Sequence, residues 1–361
     1  MRAPQTSSQP KRPPQSPPHA SAPQGRASDG AVQAEIEIAL LDAALGDDAS
    51  DFVGSLSAEH LATGGKRMRA RLCLEAAAAL GVEERAALGW AAAVEMLHNA
   101  TLVHDDVQDG DTVRRGQPTV WARHGVAQAI NVGDLMLMLP ISRLIARLPV
   151  DESIRWRLAE ALTRHAEAIV RGQADDLSLR QRISDDHSLD VLEEVLYCAE
   201  RKTAALFSLC AEGAALLAGH APEEGRRLAA PFAAVGVAFQ LVDDLIDAFG
   251  DKGRGTAGND VREGKVSILV AEHLALHPAE RAWLLGVLAL PREETRHAQV
   301  AEVLSRFAEG GALDAARARV DALAALVRGE PAVHGQAASL EVARAWLERS
   351  LAPLSQVRRP S

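Results

Sequence analysis

From about Ala31 onward, apolar residues return every three or four positions, and no stretch alternates apolar and polar residues over the length of a strand. That period leaves room for helices and little else. Aromatic residues make up 3% of the chain, β-branched runs are scarce and alanine and leucine abound, so intrinsic propensity agrees with the period. The expected fold is all-α. At 361 residues the length allows two average domains or one large one. With no strand–helix rhythm and no internal repeat, residues 31–361 are read as a single helical domain.

Residues 1–30 differ. They carry seven prolines (Pro4, Pro10, Pro13, Pro14, Pro17, Pro18 and Pro23) among Ser and Gln, and no aromatic residue precedes Phe52. Such a segment buries too little apolar surface to offset its ordering entropy, so a disordered tail is expected. It lacks the apolar core of a signal peptide and the amphipathic helix of a transit peptide.

Acids outnumber bases, 49 to 39, for a formal charge of −10, which argues against a chain-wide grip on nucleic acid. The longest apolar stretch, near Leu135–Ile141, is interrupted by Pro140 and followed by Arg143, so no membrane-spanning segment is expected. Cys73, Cys198 and Cys210 show no CxxC spacing. Isolated thiols in a reducing cytoplasm are the expectation.

Helices are expected over Glu95–Asp109, Leu189–Leu217, Phe232–Asp247, Ala312–Val327 and Leu340–Leu351. Gly81, Gly219 and Gly250 mark stops and Pro222 a start. The polar segment Ala174–Ser188 reads as a loop.

Two strings carry the chemistry. One is His104-Asp105-Asp106-Val107-Gln108-Asp109, followed by Arg114-Arg115-Gly116; the other is Gln240-Leu241-Val242-Asp243-Asp244-Leu245-Ile246-Asp247. Each contains D-D-x-x-D, and on a helix Asp105 with Asp109, and Asp243 with Asp247, share a face. Like charges at that spacing oppose helix formation, and Gly110 and Gly250 put both triplets near helix C-termini, where the macrodipole disfavours anions as well. Leu102-Val103 and Leu241-Val242 precede the triplets, which points the carboxylates at an interior cavity. Divalent cations relieve such repulsion, and oxygen-only ligands favour Mg²⁺ shared with substrate phosphates. Gly64-Gly65-Lys66-Arg67-Met68-Arg69 sets cations at a helix start, a natural anion site, and Arg201-Lys202-Thr203 adds more.

These residues resemble the trans-isoprenyl diphosphate synthase, or polyprenyl synthetase, family, and most closely its geranylgeranyl-type members. Residues 64–69 look like the family's GGKRxR segment, residues 105–109 with 114–116 like its first aspartate-rich motif and RRG, and residues 240–247 like its second motif. His98, Gln173 and Lys202-Thr203 fall in matching places. The resemblance implies an isoprenoid synthase-type helical bundle around a central cavity, a cytoplasmic homodimer, and about three Mg²⁺ ions per site. Asp105, Asp106, Asp109, Asp243, Asp244 and Asp247 would bind the metal. Arg114, Lys202, Thr203 and Gln240 would hold an allylic diphosphate (dimethylallyl, geranyl or farnesyl), and Lys66, Arg69, His98 and Arg115 would hold isopentenyl diphosphate. Asp105, Asp106, Asp109, Lys202, Asp243 and Asp244 are the implied catalytic set.

The chain departs from the family pattern after the second motif. Gly253-Arg254 stands where the family often has Gly-Lys, and Gly264-Lys265-Val266-Ser267 lacks a proline. Arg254 and Lys265 keep the charge, so both are expected at the diphosphate, with Lys252 the competitor of Arg254.

In this family, side chains upstream of the first motif limit product length. Thr101 and Ala100 are small, and Leu97 and Met96 lie one turn deeper, ~12 Å from Asp105 by helix rise. A C20 product is expected, with a longer-chain synthase as the alternative.

Rival assignments fit less well. Gly253–Gly258 spells GxGxxG but follows an acidic helix rather than a strand. A phosphohydrolase built on His98, His104 and Asp105 leaves the second triplet unexplained. A class I terpene cyclase would need an element that Asn259-Asp260 begins but Glu263 breaks. A non-catalytic subunit of a heteromeric synthase would be expected to lose one triplet, and both are intact.

Overall fold

The structure, a computed structural model, describes residues 29–46, 50–250, 257–331 and 336–358. The expected tail, apart from its last two residues, lies outside them, as do Lys252, Gly253 and Arg254. The described chain is helical almost throughout: α1 (Asp29–Leu45), α2 (Phe52–Ala62), α3 (Met68–Ala79), α4 (Glu84–Gln108), α5 (Val120–His124), α6 (Val126–Leu139), α7 (Glu152–Asp185), α8 (Val191–Ala199), α9 (Ala205–Leu217), α10 (Pro222–Phe249), α11 (Asn259–Arg262), α12 (Ile268–Leu276), α13 (Arg281–Leu288), α14 (His297–Glu309), α15 (Ala312–Gly329) and α16 (Ala337–Leu351).

Two apolar cores form. The larger joins α1–α4, α6, the first half of α7, α9 and the first half of α10, around Trp90, Phe207 and Phe232. The smaller joins the end of α7, α8, the end of α10 and α12–α15, around Phe249 and Phe307. α7 and α10 thread both. At 34 and 28 residues, they are roughly 51 and 42 Å long at 1.5 Å per residue.

Alanine lets the central helices approach closely. Ala91, Ala92 and Ala93 of α4 and Ala211 and Ala214 of α9 are fully buried. Gly213 is required where α9 meets Trp90, because a Cβ there would stand 2.0 Å from the indole.

Ala174–Ser188 is not a loop: α7 continues to Asp185. The segment looked like a loop because its buried contacts are sparse. Leu179 and Ile183, four apart, enter the smaller core, and Arg180 donates to the Leu288 carbonyl. Leu189–Leu217 resolves into α8 and α9 joined by a π-helical turn, Glu200–Ala204, that carries Lys202 and Thr203. Among the described residues the single strand pair is a hairpin, β1 (Val113–Arg114) with β2 (Gln117–Pro118). Its turn puts Arg115 at φ +52° and Gly116 at φ +77°, the sense of a primed hairpin turn.

Length and composition alone do not separate core helices from membrane spans. Val126–Arg147 and Pro222–Phe249 are both long and apolar enough to cross a membrane by length and composition. The second is a mostly buried core helix that carries the aspartate triplet.

Candidate active site

Between the C-terminal ends of α4 and α10 lies a cavity of about 1130 Å³. α4 contributes Thr101, Asp105 and Gln108, with Asp109 just beyond its end; α10 contributes Phe239, Gln240, Asp243 and Asp247 from the opposite side. α7 supplies Ile169 and Gln173, the π-helical turn Lys202 and Thr203, and the hairpin Arg114 and Arg115. Two triplets 138 positions apart in the chain (Asp105 to Asp109 and Asp243 to Asp247) thus meet across one hollow because both helices end at it.

The six aspartates divide into two kinds. Asp105, Asp109, Asp243 and Asp247 line the cavity, whereas Asp106 and Asp244 do not reach the main hollow. Asp106 is buried and accepts from Arg114 Nε at 2.6 Å, while its Oδ2 has no partner. Burial pushes its carboxyl up to about 6 against the pull of Arg114. Burial also raises Asp105, opposed first by Lys202. Asp244 accepts from Gln240 Nε2 at 2.8 Å and from the backbone N–H of Ile268 at 3.0 Å. Asp247 accepts from the N–H of Asp260 at 2.9 Å.

Cations alternate with these acids. Lys202 Nζ lies 2.9 Å from Asp176, and although burial opposes its charge, Asp176 and Asp105 hold the pKa above the usual lysine value. Lys265 reaches Glu263 at 2.7 Å and Asp109 at 3.4 Å. Burial opposes its charge too, and Asp109 and Glu263 outweigh it. Thr203 Oγ1 donates to Gln240 Oε1 at 2.7 Å, which extends the chain of hydrogen bonds to Asp244.

On the α3 side, Arg69 lies 5.9 and 5.8 Å from the ring centroids of Phe207 and Phe239, and its Nε is unpartnered. Burial lowers its pKa, offset first by Glu95. His98 lines the same side with Nδ1 unpartnered, and burial, Arg69 and Arg115 lower its pKa well below the usual histidine value. Arg115 donates to the Gly64 carbonyl, and Gly65 has no Cβ where Arg115 passes.

The structure separates three sets of expected residues from the cavity. Lys66 is exposed and is not among the lining residues. Arg67, which sequence grouped with an anion site, is a core cation: it is buried, at φ +46°, and bonded to Glu37 at 2.7 Å and to the Leu61 carbonyl at 2.8 Å. Of the expected chain-length residues, Thr101 lines the cavity, but Met96, Leu97 and Ala100 are fully buried in the larger core. Leu137, Ile169, Leu206 and Phe239 supply apolar wall instead.

Sequence reasoning gave no site role to Asp176 or Arg292, and met Glu263 only as the residue that breaks a cyclase element. Asp176 stands three residues after Gln173, a signal visible once that stretch is read as helix. The other two carry no comparable signal.

The residues fit a hard divalent cation. The donors that the two triplets present to each other across the cavity, Asp105, Asp109, Asp243 and Asp247, are carboxylates, and these acids repel one another. Among the described residues no three His, Cys, Asp or Glu groups cluster tightly enough to form a closed metal cage. Ligands from two walls with a polyanion between them suit this arrangement better.

Residues 53–307 match the family described as polyprenyl synthetase. The chain belongs to that family. It is 33% identical over 268 residues, 73% of its length and 78% of the relative's, to a short chain isoprenyl diphosphate synthase of Methanothermobacter thermautotrophicus. A geranylgeranyl diphosphate synthase of Sulfolobus acidocaldarius is 38% identical over 226 residues, 60% of this chain and 66% of that one. Among solved structures, a geranylgeranyl pyrophosphate synthase matches with a TM-score of 0.76 at 26% identity, over 91% of this chain and 99% of that one. A polyprenyl synthase of Caulobacter crescentus, solved with calcium and isoprenyl diphosphate, matches at 0.70 and 28%, over 92% and 96%. The polyprenyl synthetase described here is therefore a head-to-tail prenyltransferase with the isoprenyl diphosphate synthase fold.

Proposed function

We propose that this polyprenyl synthetase condenses isopentenyl diphosphate with an allylic diphosphate (dimethylallyl, geranyl or farnesyl) and stops at a C20, geranylgeranyl-type product. The observation that carries the proposal is the pair of acid-bearing helix ends facing each other over an apolar-walled cavity. Asp105 and Asp109 from one side and Asp243 from the other would hold Mg²⁺, about three ions when loaded, which neutralise the diphosphate and make it a leaving group.

Lys202, Thr203, Gln240 and Lys265 surround the position where that diphosphate would lie. As the allylic C–O bond breaks, its electron pair leaves with the diphosphate, and these cations and hydrogen-bond donors stabilise the growing charge. The isopentenyl double bond attacks the allylic cation, and a proton passes from the new cation to the released diphosphate. Arg69, Arg115 and neutral His98 border the space for the isopentenyl diphosphate. Leu137, Ile169, Leu206 and Phe239 keep water from the cation. Arg254, expected at the same diphosphate, lies outside the described residues.

The C20 limit is supported by small Thr101 one turn below Asp105 and by the geranylgeranyl and short-chain names of the relatives. The expected homodimer is supported by an apolar stripe on and just after α6, where Val126, Ile130, Met138 and Ile141 are exposed. Sedimentation that finds an active monomer would remove the dimer. The three free thiols, all buried, suit the cytoplasm.

Incubating the protein with Mg²⁺, isopentenyl diphosphate and each allylic primer in turn, followed by product chromatography, tests the whole proposal. A C20 product is expected. Longer products would move the chain to the alternative class, and no product with any primer would contradict catalysis.

A further inference from the structure

Arg292 sits in the turn between α13 and α14, on neither aspartate motif, yet it lines the mouth of the cavity. Its Nη1 lies 3.3 Å from Asp111 Oδ1 and 3.2 Å from Glu263 Oε1. Asp111 follows the first aspartate motif by two residues, and Glu263 lies in the segment that follows the second. One guanidinium therefore ties the two walls together. Glu263 also binds Lys265, which reaches back to Asp109, so a continuous ion-pair chain crosses the mouth.

The segments that carry Asp111, Arg292, Glu263 and Lys265 are fixed from behind. The Asp111 carbonyl accepts from Trp121 Nε1 at 2.7 Å and Thr119 Oγ1 at 2.9 Å. The Pro291 carbonyl accepts from the N–H groups of Glu294 and Thr295 at 2.9 and 3.1 Å, which builds the turn that presents Arg292. Gly264, at φ +68°, packs against the Leu288 carbonyl so closely that a Cβ would stand 2.3 Å away. The segment bearing Glu263 and Lys265 is thereby held against the end of α13.

We infer that Arg292 is a positioning residue that sets the separation of the two acidic walls, and so the affinity of the site for a metal-bound diphosphate. It acts through Asp111 and Glu263 rather than on the reacting carbons. The inference rests on the diphosphate site proposed above and deepens it.

The test uses the full chain with inorganic pyrophosphate and Mg²⁺ as probe, titrated calorimetrically, beside steady-state kinetics with the allylic substrate. Arg292→Ala is expected to weaken pyrophosphate binding and raise the allylic KM by about three- to tenfold, the scale of two half-exposed ion pairs, with a smaller change in kcat. Arg292→Lys should recover most of the loss, and Asp111→Asn should add little once Arg292 is gone. Unchanged pyrophosphate affinity in a folded Arg292→Ala protein would overturn the inference, as would a fall in kcat alone. Failure of the wild-type protein to elongate any primer while still binding pyrophosphate would count against the proposed reaction and leave this strap standing.

Discussion

At the end of α4 the middle aspartate of the triplet, Asp106, is met by the Arg114 guanidinium and keeps one oxygen without a partner. At the end of α10 the corresponding Asp244 is met by the Gln240 amide and by the first N–H of α12. The same D-D-x-x-D pattern thus sits in unlike surroundings. In the second, a helix N-terminus and a side-chain amide complete the carboxylate, an arrangement that favours negative charge. In the first, burial works against the charge and a single arginine opposes it. The second wall is preorganised by its own neighbours; the first depends on a two-residue hairpin to bring Arg114 back.

Substitutions separate the cavity-facing acids from those held behind them. The largest effect is expected from Asp105→Ala or Asp243→Ala, each lowering kcat by at least about a hundredfold with little loss of stability. Product formation and a melting curve check both halves; equal loss of activity and folding would break the division.

Next comes stability. Asp244→Asn should cost about 2 kcal/mol, because an amide cannot accept from both Gln240 and the Ile268 N–H. Asp106→Asn should cost less, since it also removes the penalty of a buried, half-satisfied charge. Denaturant midpoints that rank the two the other way would reverse the comparison.

A pH effect of similar size belongs to His60, buried on α2 and outside the cavity lining. Burial and the nearby Arg114 and Arg115 lower His60 to about 3. A folded-state value below the unfolded one means the unfolded chain takes up the proton first, so stability is lost as pH falls from about 6.5 toward 3. Between pH 7 and 5 the loss from this group is roughly 2 kcal/mol, and it should be absent in His60→Asn. A variant that loses as much stability as wild type over that interval would contradict it.

The smallest effect concerns product length. Thr101→Phe should shorten the product by one isoprene unit, because Thr101 borders the cavity. Ala100→Phe should instead cost about 1–3 kcal/mol by overpacking the core. Chromatography of the products that shows shortening with Ala100→Phe alone would return the chain-length wall to its sequence-based position.

Much of this was legible in the chain itself. The helical period, the stops at Gly81, Gly219 and Gly250, and the shared face of the acids within each D-D-x-x-D string all follow from local spacing, which helix geometry converts directly into direction. Two kinds of feature were not. Arg67 and Arg69 are two residues apart in one basic run, yet one enters the core and the other the cavity, because Glu37 on α1 captures Arg67. Likewise Ala100 and Thr101 are neighbours, and the packing of α4 against the other helices decides which meets the cavity. Both depend on partners far away in sequence. Ala174–Ser188 hid its helix for a related reason: its few apolar residues are enough only because the smaller core is there to receive them.

The central claim is that the two acidic walls act together on one metal-bound diphosphate. Calorimetric titration with inorganic pyrophosphate, with and without Mg²⁺, tests it most directly. Binding should require Mg²⁺ and weaken at least about tenfold in Asp105→Ala and in Asp243→Ala alike. Binding that persists without Mg²⁺, or that survives the loss of either aspartate, would contradict it.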